Sequence, residues 1–295
     1  MRAEIQEFAS QLVLARGLSE NTRAAYERDL ETFGAYLSGR GSGGLLEATR
    51  PDIVGFLAEE RGKGRSDATI SRRLMALRTF YAWLAEEGAI KTNPAEAIAR
   101  PRSERKLPES LSESQTAALI GAFDGDSPTD IRNRAMLEML YATGLRASEL
   151  VSLTLDDVSL NEAFVRCRGK GDKERVVPLG SRTVEMLAEY ISGARASLAG
   201  EIDGGIMFPS KKGGAVSRKS LWAIVVKAAK RSGIWGHVHP HTLRHCFATH
   251  LLAHGAGIRA IQEMLGHADI ATTQIYTHVD EGKILAVHRK FHPRR

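Results

Sequence analysis

The stretch HPHTLRHCFATHLLAH (residues 239–254) indicates most about how this chain folds and where its chemistry lies. Pro240 suits the first turn of a helix. The apolar residues after it recur every four positions and predict a stripe that packs inward: Leu243, Phe247 and Leu251. His241 and Arg244 are three residues apart, so a helix places them on neighbouring positions of one face. An imidazole and a guanidinium at this spacing can both donate hydrogen bonds to one anion.

Histidines are concentrated around this stretch, because all 10 of them lie from His237 onward. A zinc site is one interpretation, since His237, His239 and His241 alternate and His250 and His254 are four residues apart. The paired histidines enclose no glutamate that could act as a general base, however, and no carboxylate cluster is nearby. We therefore predict no metal and no other cofactor, and we expect His250 and His254 to be satisfied histidines at the core or its edge.

Two further segments towards the N-terminus carry candidate site residues. In YATGLRASEL (141–150), Gly144 is expected to end one helix, and Arg146 then lies at the start of the next, where free backbone N–H groups suit a phosphate. A salt bridge from Arg146 to Glu149 is the alternative interpretation. Lys170 stands between two glycines at the tip of a predicted β-hairpin, where it could deliver a proton or a charge, or be an ordinary solvated turn lysine.

A fourth segment, LGHADIATTQIYTH (265–278), follows the histidine-rich helix. Gly266 is expected to break a helix and present His267. A short helix over residues 270–277 then carries Tyr276. Taken alone, this tyrosine would be interpreted as half-buried packing.

The rest of the chain reads as helices with one small sheet, which predicts a mainly α fold class with a small antiparallel β-sheet. Residues 163–168 and 174–179 alternate apolar and polar side chains and form the hairpin. The remaining helices are expected at 20–37, after Thr49-Arg-Pro-Asp52, at 68–88, after Asn93-Pro94, from a Ser112/Gln115 capping box, and at 129–143, 182–195, 217–232 and 258–265.

A basic segment with two prolines, Arg100–Pro108, has the composition of a linker. We therefore divide the chain into a helical domain over 1–99, a linker over 100–110 and a second domain over 111–295.

Composition excludes several classes of protein. With 295 residues, 43% hydrophobic and 26% charged, the chain is neither fibrous nor wholly disordered. Its 2 cysteines exclude a disulfide scaffold and indicate a reducing compartment. We expect a cytoplasmic protein with no membrane segment and no secretory signal. The net charge of +6 is compatible with a polyanionic partner.

Together the four segments resemble the tyrosine recombinase (phage integrase) family over essentially the whole chain. The family's six functional positions occur complete and in order: Arg146, Lys170, His241, Arg244, His267 and Tyr276. The strings GKGDKERVVPLG and LGHADIATTQIYTHV are similar to the Xer branch of bacterial chromosome-dimer resolvases. SELVSLTLDDVSL and the last five residues look more like the XerD subfamily than its XerC counterpart. The resemblance implies a two-domain, C-shaped DNA clamp. Residues 1–99 would form a SAM-like helical core-binding domain that binds DNA, and residues 111–295 would form the catalytic domain.

The resemblance also implies a role for each residue. Tyr276 would be the nucleophile that forms a 3′-phosphotyrosyl bond, and Lys170 would be the general acid. Arg146 and Arg244 would hold the non-bridging phosphate oxygens. His241 and His267 would add hydrogen bonds or move the nucleophile's proton.

The implied partners are double-stranded DNA with a Xer-type site and a XerC-like recombinase in a heterotetramer. A DNA translocase of the division site would control the reaction, and the C-terminal tail, about 284–295, would dock on a neighbouring protomer. Candidates for DNA contact in the N-terminal domain are Arg72, Arg73 and Arg78, whose charges could instead be merely solvated.

Three alternatives remain open at this point. One is a phage or mobile-element integrase, or a type IB topoisomerase, with the same chemistry. Another is a helical DNA-binding protein without catalysis. The third is a metal hydrolase that uses the histidines.

Overall fold

The computed structural model describes residues 4–9, 20–99, 110–168, 174–200, 204–266 and 278–294, with side chains from 285 onward in the last range. The chain divides into two compact units, Met1–Lys106 and Leu107–Arg295. Each unit has its own hydrophobic core.

Three long helices build the N-terminal unit, after a helical segment at residues 4–9: α1 (Glu20–Gly39), α2 (Arg50–Gly62) and α3 (Asp67–Glu86). Thr49 caps α2, where the Asp52 carboxylate accepts the Thr49 N–H at 2.9 Å. Aromatic side chains from all three helices meet in the core: Phe33, Phe56, Phe80 and Tyr81. The three predicted helices are confirmed.

The predicted short helix after Asn93-Pro94 is wrong, because the chain forms turns there. The Asn93 side-chain oxygen accepts the backbone N–H of Ala95 at 2.9 Å. A side chain that bonds its own backbone two residues on stabilises a turn in place of a first helical turn.

The C-terminal unit is also mainly helical. The Ser112/Gln115 capping box is present at its first helix, as predicted. A π-helical turn over Tyr190–Arg195 interrupts the predicted helix 182–195, and the predicted helix 270–277 lies outside the described residues. The helices are α4 (Glu113–Ile120), α5 (Pro128–Thr143), α6 (Ala147–Ser152), α7 (Ser181–Glu189), α8 (Ala196–Ala199), α9 (Arg218–Arg231), α10 (Pro240–Ala253), α11 (Ile258–Leu265) and α12 (His278–Phe291).

A small antiparallel sheet completes the unit, with strand order β1 (Val158–Ser159), β2 (Phe164–Arg168) and β3 (Glu174–Pro178). The predicted hairpin is confirmed, because β2 and β3 pair antiparallel with Val165 opposite Val177. β1 was not predicted, because two residues are too few to show an alternating pattern. No helix within the described ranges is long and apolar enough to cross a membrane.

The C-terminal tail packs on its own unit. The His288 imidazole bonds the Ala142 carbonyl on α5 at 2.9 Å. His292 stacks on His288 with ring centroids 4.5 Å apart, and the Arg294 guanidinium lies 3.5 Å from the Glu138 carboxylate. Docking of the tail on a neighbouring protomer stays a prediction, and it would require these contacts to be broken or exchanged.

Because His288 and His292 are buried, we predict that the C-terminal helix opens more easily in acid. Burial lowers the pKa of His288 to about 4 and lowers the pKa of His292 well below its ordinary value. A histidine with a depressed pKa in the folded state stabilises the fold fully above pH 6.5 and loses that contribution as the pH falls towards 4. For His288 alone the loss amounts to roughly 3 kcal/mol. Hydrogen-exchange protection of the α12 amides, expressed as an opening free energy, should fall accordingly from pH 7.5 to pH 4.5.

Two variants separate this effect from general acid sensitivity. His288→Asn should have a shallower pH dependence of protection than the parent protein. His237→Gln, which alters an exposed histidine between α9 and α10, should keep the parent slope. Equal slopes in the parent and His288→Asn would contradict the prediction.

Candidate active site

The site begins at the junction between α5 and α6. Gly144 ends α5 with φ +60°, and its N–H bonds the Leu140 carbonyl at 3.0 Å. Leu145 is buried in the core and anchors the turn. Arg146 is then the N-cap of α6, with its side chain 38% exposed. The predicted helix stop and helix start are both confirmed.

Glu149, one turn into α6, joins two arginines. Its carboxylate accepts the Arg146 backbone N–H at 2.7 Å and the Arg146 Nη1 at 2.8 Å. Arg175 on β3 donates to the same carboxylate through a fork, with Nη1 and Nη2 at 2.9 and 2.8 Å from its two oxygens. The salt bridge weighed for Arg146 therefore exists, and it leaves part of that guanidinium facing solvent.

Sequence reasoning did not recognise Arg175 as part of the site. The alternation of β3 could have indicated that Arg175 is buried, because Arg175 lies on the same face of the strand as Val177. The structure shows both side chains buried and the preceding Glu174 exposed. A buried arginine requires an acceptor, and Glu149 provides it.

The Glu149 carboxylate stays ionised in this setting. Burial raises its pKa, but the hydrogen bonds from Arg175 and from the Arg146 N–H outweigh burial and hold the pKa at about 2. At neutral pH Glu149 therefore contributes a negative charge beside the guanidinium charges of Arg146 and Arg175.

Helix α10 adds a third arginine, Arg244, to Arg146, Glu149 and Arg175. Pro240 is in the first turn of this helix, and the predicted stripe of Leu243, Phe247 and Leu251 is buried. Arg244 donates from Nη1 to the Gly144 carbonyl at 2.6 Å and from Nη2 to the Leu265 carbonyl at 2.7 Å. His241 is exposed, one turn earlier on the same helix.

Three arginines converge on the C-terminal end of α11. Arg175 Nε bonds the Met264 carbonyl at 2.8 Å, Arg244 bonds the Leu265 carbonyl, and Arg146 Nη2 bonds the Gly266 carbonyl at 3.2 Å. We call these three residues, Arg146, Arg175 and Arg244, the arginine cluster. The last carbonyls of a helix lack intrahelical partners and carry partial negative charge, so they suit such donors.

The positive charges of the arginine cluster favour the binding of an anion. Burial, and then the charge of Arg146, lower the pKa of Arg244 to about 10. Arg244 remains protonated at neutral pH, but it and Arg146 repel each other across the site. A phosphate placed between them would relieve that repulsion and accept charge-assisted hydrogen bonds.

Of the six candidate site residues, the structure brings Arg146 and Arg244 onto one helix end and places His241 one turn from Arg244. Lys170, His267 and Tyr276 lie outside the described residues, and the roles of all six residues stay predictions. His267 directly follows Gly266 in the chain, and Lys170 precedes β3 by four residues.

Two histidines of the zinc interpretation, His250 and His254, have other partners. His250 bonds the Tyr141 hydroxyl and the Leu111 carbonyl, both at 2.8 Å, which confirms a satisfied core histidine. His254 bonds the Phe291 carbonyl at 3.0 Å at the edge of the core. No three histidine, cysteine or acidic side chains converge as metal ligands in the part of the chain that the structure describes.

The three arginines proposed for DNA contact have partners within the N-terminal unit. Arg72 bonds Asp29 and keeps 43% of its side chain exposed. Arg73 is buried against Glu60 and lies 3.6 Å from Asp29. Arg78 donates to backbone carbonyls at residues 95–98. DNA contact stays a prediction for all three, and Arg73 would first have to leave its ion pair.

Comparison with known proteins gives a consistent result. Residues 109–283 match the "Phage integrase family" profile, and residues 5–88 match "Phage integrase, N-terminal SAM-like domain". The chain is 42% identical over 292 residues to the tyrosine recombinase XerD of Listeria monocytogenes, covering 98% of each chain. It is 43% identical over 291 residues to XerD of Pseudomonas aeruginosa, covering 98% of this chain and 97% of that protein.

A solved structure is similar over most of the chain as well. It is the XerH site-specific recombinase bound to a palindromic difH substrate in a post-cleavage complex. The TM-score is 0.73 at 26% identity, with 94% of this chain and 82% of that chain covered.

The close packing around Gly144 predicts that a side chain at this position would destabilise the fold. A Cβ there would lie 2.6 Å from Phe247 Cδ1 and 2.9 Å from Leu265 Cδ2, on a left-handed backbone. Gly144→Ala should therefore lower the free energy of unfolding by about 2–4 kcal/mol through overpacking and backbone strain. Urea denaturation of the full chain measures this.

Gly121→Ala is the matched control, because Gly121 also follows a helix but has φ −74°, and a Cβ there would make only ordinary van der Waals contacts. Its stability should stay within about 1 kcal/mol of the parent. Equal losses in the two variants would contradict the role given to Gly144.

Proposed function

Because the chain belongs to the phage integrase family of tyrosine recombinases, we propose that it cuts and rejoins DNA at a Xer-type site through a 3′-phosphotyrosyl intermediate. In this proposal it resolves chromosome dimers together with a partner recombinase. The observation that carries the proposal is the convergence of Arg146 and Arg244 on one helix end, directly before His267.

In the cleavage step, the Tyr276 oxygen attacks the phosphorus of the scissile phosphodiester. The bond to the 5′-oxygen breaks, and Lys170 gives a proton to that oxygen as it leaves. Tyrosine has an ordinary pKa of about 10, so its own proton must depart during the attack. Attack of a 5′-hydroxyl on the phosphotyrosine reverses the step, and no nucleotide is consumed.

The arginines stabilise the charge that develops in the transition state. A guanidinium carries five N–H donors in a rigid fork, so one already fixed by the protein can still donate to a phosphate oxygen. Arg146 and Arg244 are each held by two bonds from the side chain to protein acceptors, which orients them before DNA binds. Donors that are already oriented need no reorganisation during the reaction. His241, exposed on α10, would add a hydrogen bond to the same phosphate.

The resemblance to the Xer branch supports a wider proposal for assembly and location. The protein would act in a tetramer with a XerC-like partner on paired sites. The reaction would take place on the chromosome in the cytoplasm. Control by a DNA translocase of the division site is an expectation of the resemblance alone.

Covalent trapping tests the chemistry. The protein is mixed with labelled, centrally nicked DNA carrying a Xer-type chromosomal site, in EDTA and without ATP, with and without the partner recombinase. We expect the parent to form a protein–DNA adduct that survives SDS, because the short DNA piece with the new 5′-hydroxyl leaves at the nick and cannot rejoin. Tyr276→Phe should form no adduct, since it lacks the attacking hydroxyl.

Other results of this experiment would support one of the alternative functions. A clear gel shift without an adduct in either tube would overturn strand cleavage at that site. DNA cleavage that leaves no adduct and occurs only when divalent metal replaces EDTA would support the metal hydrolase. Efficient integration of a mobile-element site, with none at the chromosomal site, would favour an integrase.

Arg244 provides a second test, since its role lies in the transition state more than in binding. Arg244→Ala should bind site DNA nearly as well as the parent but form the adduct about 100–1000-fold more slowly, the usual loss for a donor to a developing oxyanion. Parallel gel-shift and adduct assays measure both. Equal loss in the two assays would show that Arg244 serves mainly to bind DNA.

A further inference from the structure

We propose that Arg175 is a positioning residue for strand cleavage. Its buried guanidinium holds Glu149 and the Met264 carbonyl, and through them it fixes the Arg146 guanidinium and the chain that leads to His267. This inference rests on the proposed function, since it names a residue that prepares the same site.

The contacts of Arg175 face the protein and not the DNA. Its side chain is 5% exposed. Both terminal nitrogens bind the Glu149 carboxylate, and Nε binds the Met264 carbonyl. A guanidinium so enclosed cannot be a direct phosphate ligand, which separates Arg175 from Arg146 and Arg244.

Arg175 controls how much of the Arg146 charge is available to a phosphate. Glu149 is shared between the two arginines, so its negative charge is balanced largely by Arg175. Without Arg175, Arg146 would be the remaining guanidinium bound to that carboxylate. The closer ion pair would draw Arg146 towards Glu149 and weaken its field at the phosphate.

The packing around Gly266 gives Arg175 a second effect on the site. Gly266 ends α11 with φ +65°, and a Cβ there would lie 3.0 Å from Arg175 Cδ and 3.2 Å from Nε. The Arg175 side chain therefore packs directly against the glycine that precedes His267. Arg175 is also the second residue of β3, and it stands five residues after Lys170 in the sequence.

Only an arginine fits these acceptors. Its rigid fork spans both carboxylate oxygens while Nε reaches a carbonyl on another element. A lysine keeps the charge, but its single ammonium cannot bind all three acceptors in this geometry.

The experiment compares Arg175→Gln and Arg175→Lys with a buried arginine elsewhere in the same unit. Arg132 is the matched control, because it is 7% exposed and donates to the Pro209 carbonyl and to Asn133. Arg132→Gln therefore reports the effect of losing a buried arginine outside the arginine cluster. Each variant is assayed for thermal stability, for gel shift on site DNA and for adduct formation on nicked DNA.

The decisive readout is the adduct rate on two substrates, one with the natural phosphodiester and one with a methylphosphonate at the scissile position. The methyl group replaces a charged oxygen, so the reaction needs less charge stabilisation from Arg146. A variant that is merely less folded loses the same factor on both substrates.

We expect Arg175→Gln to bind DNA like the parent and to form the phosphodiester adduct about 10–100-fold more slowly. This range is taken by analogy from the removal of a hydrogen-bond partner that orients a metal ligand. Its loss on the methylphosphonate should be clearly smaller. Arg175→Lys should regain only part of the rate, and Arg132→Gln should lose equal factors on both substrates.

Two results would overturn the inference alone. One is a parent-like rate in Arg175→Gln, and the other is an equal loss on both substrates that follows thermal stability as in Arg132→Gln. An absence of adduct in the parent protein is different, because it overturns the proposed function and this inference with it.

Discussion

Three arginines bound to three successive carbonyls at the end of α11 hold the site together. Each arginine comes from a different element: the start of α6, strand β3 and helix α10. The carbonyls of Met264, Leu265 and Gly266 are the groups that a helix leaves without intrahelical partners. The site therefore exists only when these elements have packed around α11, which couples its geometry to the fold of the whole unit.

Two glycines make this arrangement possible. Gly144 and Gly266 both have positive φ and end α5 and α11. Their carbonyls accept hydrogen bonds from Arg244 and Arg146, respectively. A side chain at either position would meet a neighbour within about 3 Å, so the absence of a Cβ lets each helix end approach the cluster.

Charge balance links the structure to the chemistry. Glu149 is the carboxylate that both Arg146 and Arg175 bind, and its low pKa keeps it charged at neutral pH. The excess of positive charge is held in place by backbone carbonyls, which carry only partial charge. Such a site is costly without an anion and gains most when negative charge develops on a phosphate, which is the condition for transition-state stabilisation.

The sequence by itself determined the local features and the family. Spacing of Leu243, Phe247 and Leu251 predicted α10, alternation predicted the hairpin, and six ordered residues indicated the tyrosine recombinases. Only the tertiary structure decided that Arg175 shares Glu149, 26 residues away in sequence, with Arg146, and that Arg72 pairs with Asp29, 43 residues away. Periodicity and helix ends depend on neighbouring residues, whereas the partner of a buried charge depends on which distant elements pack together.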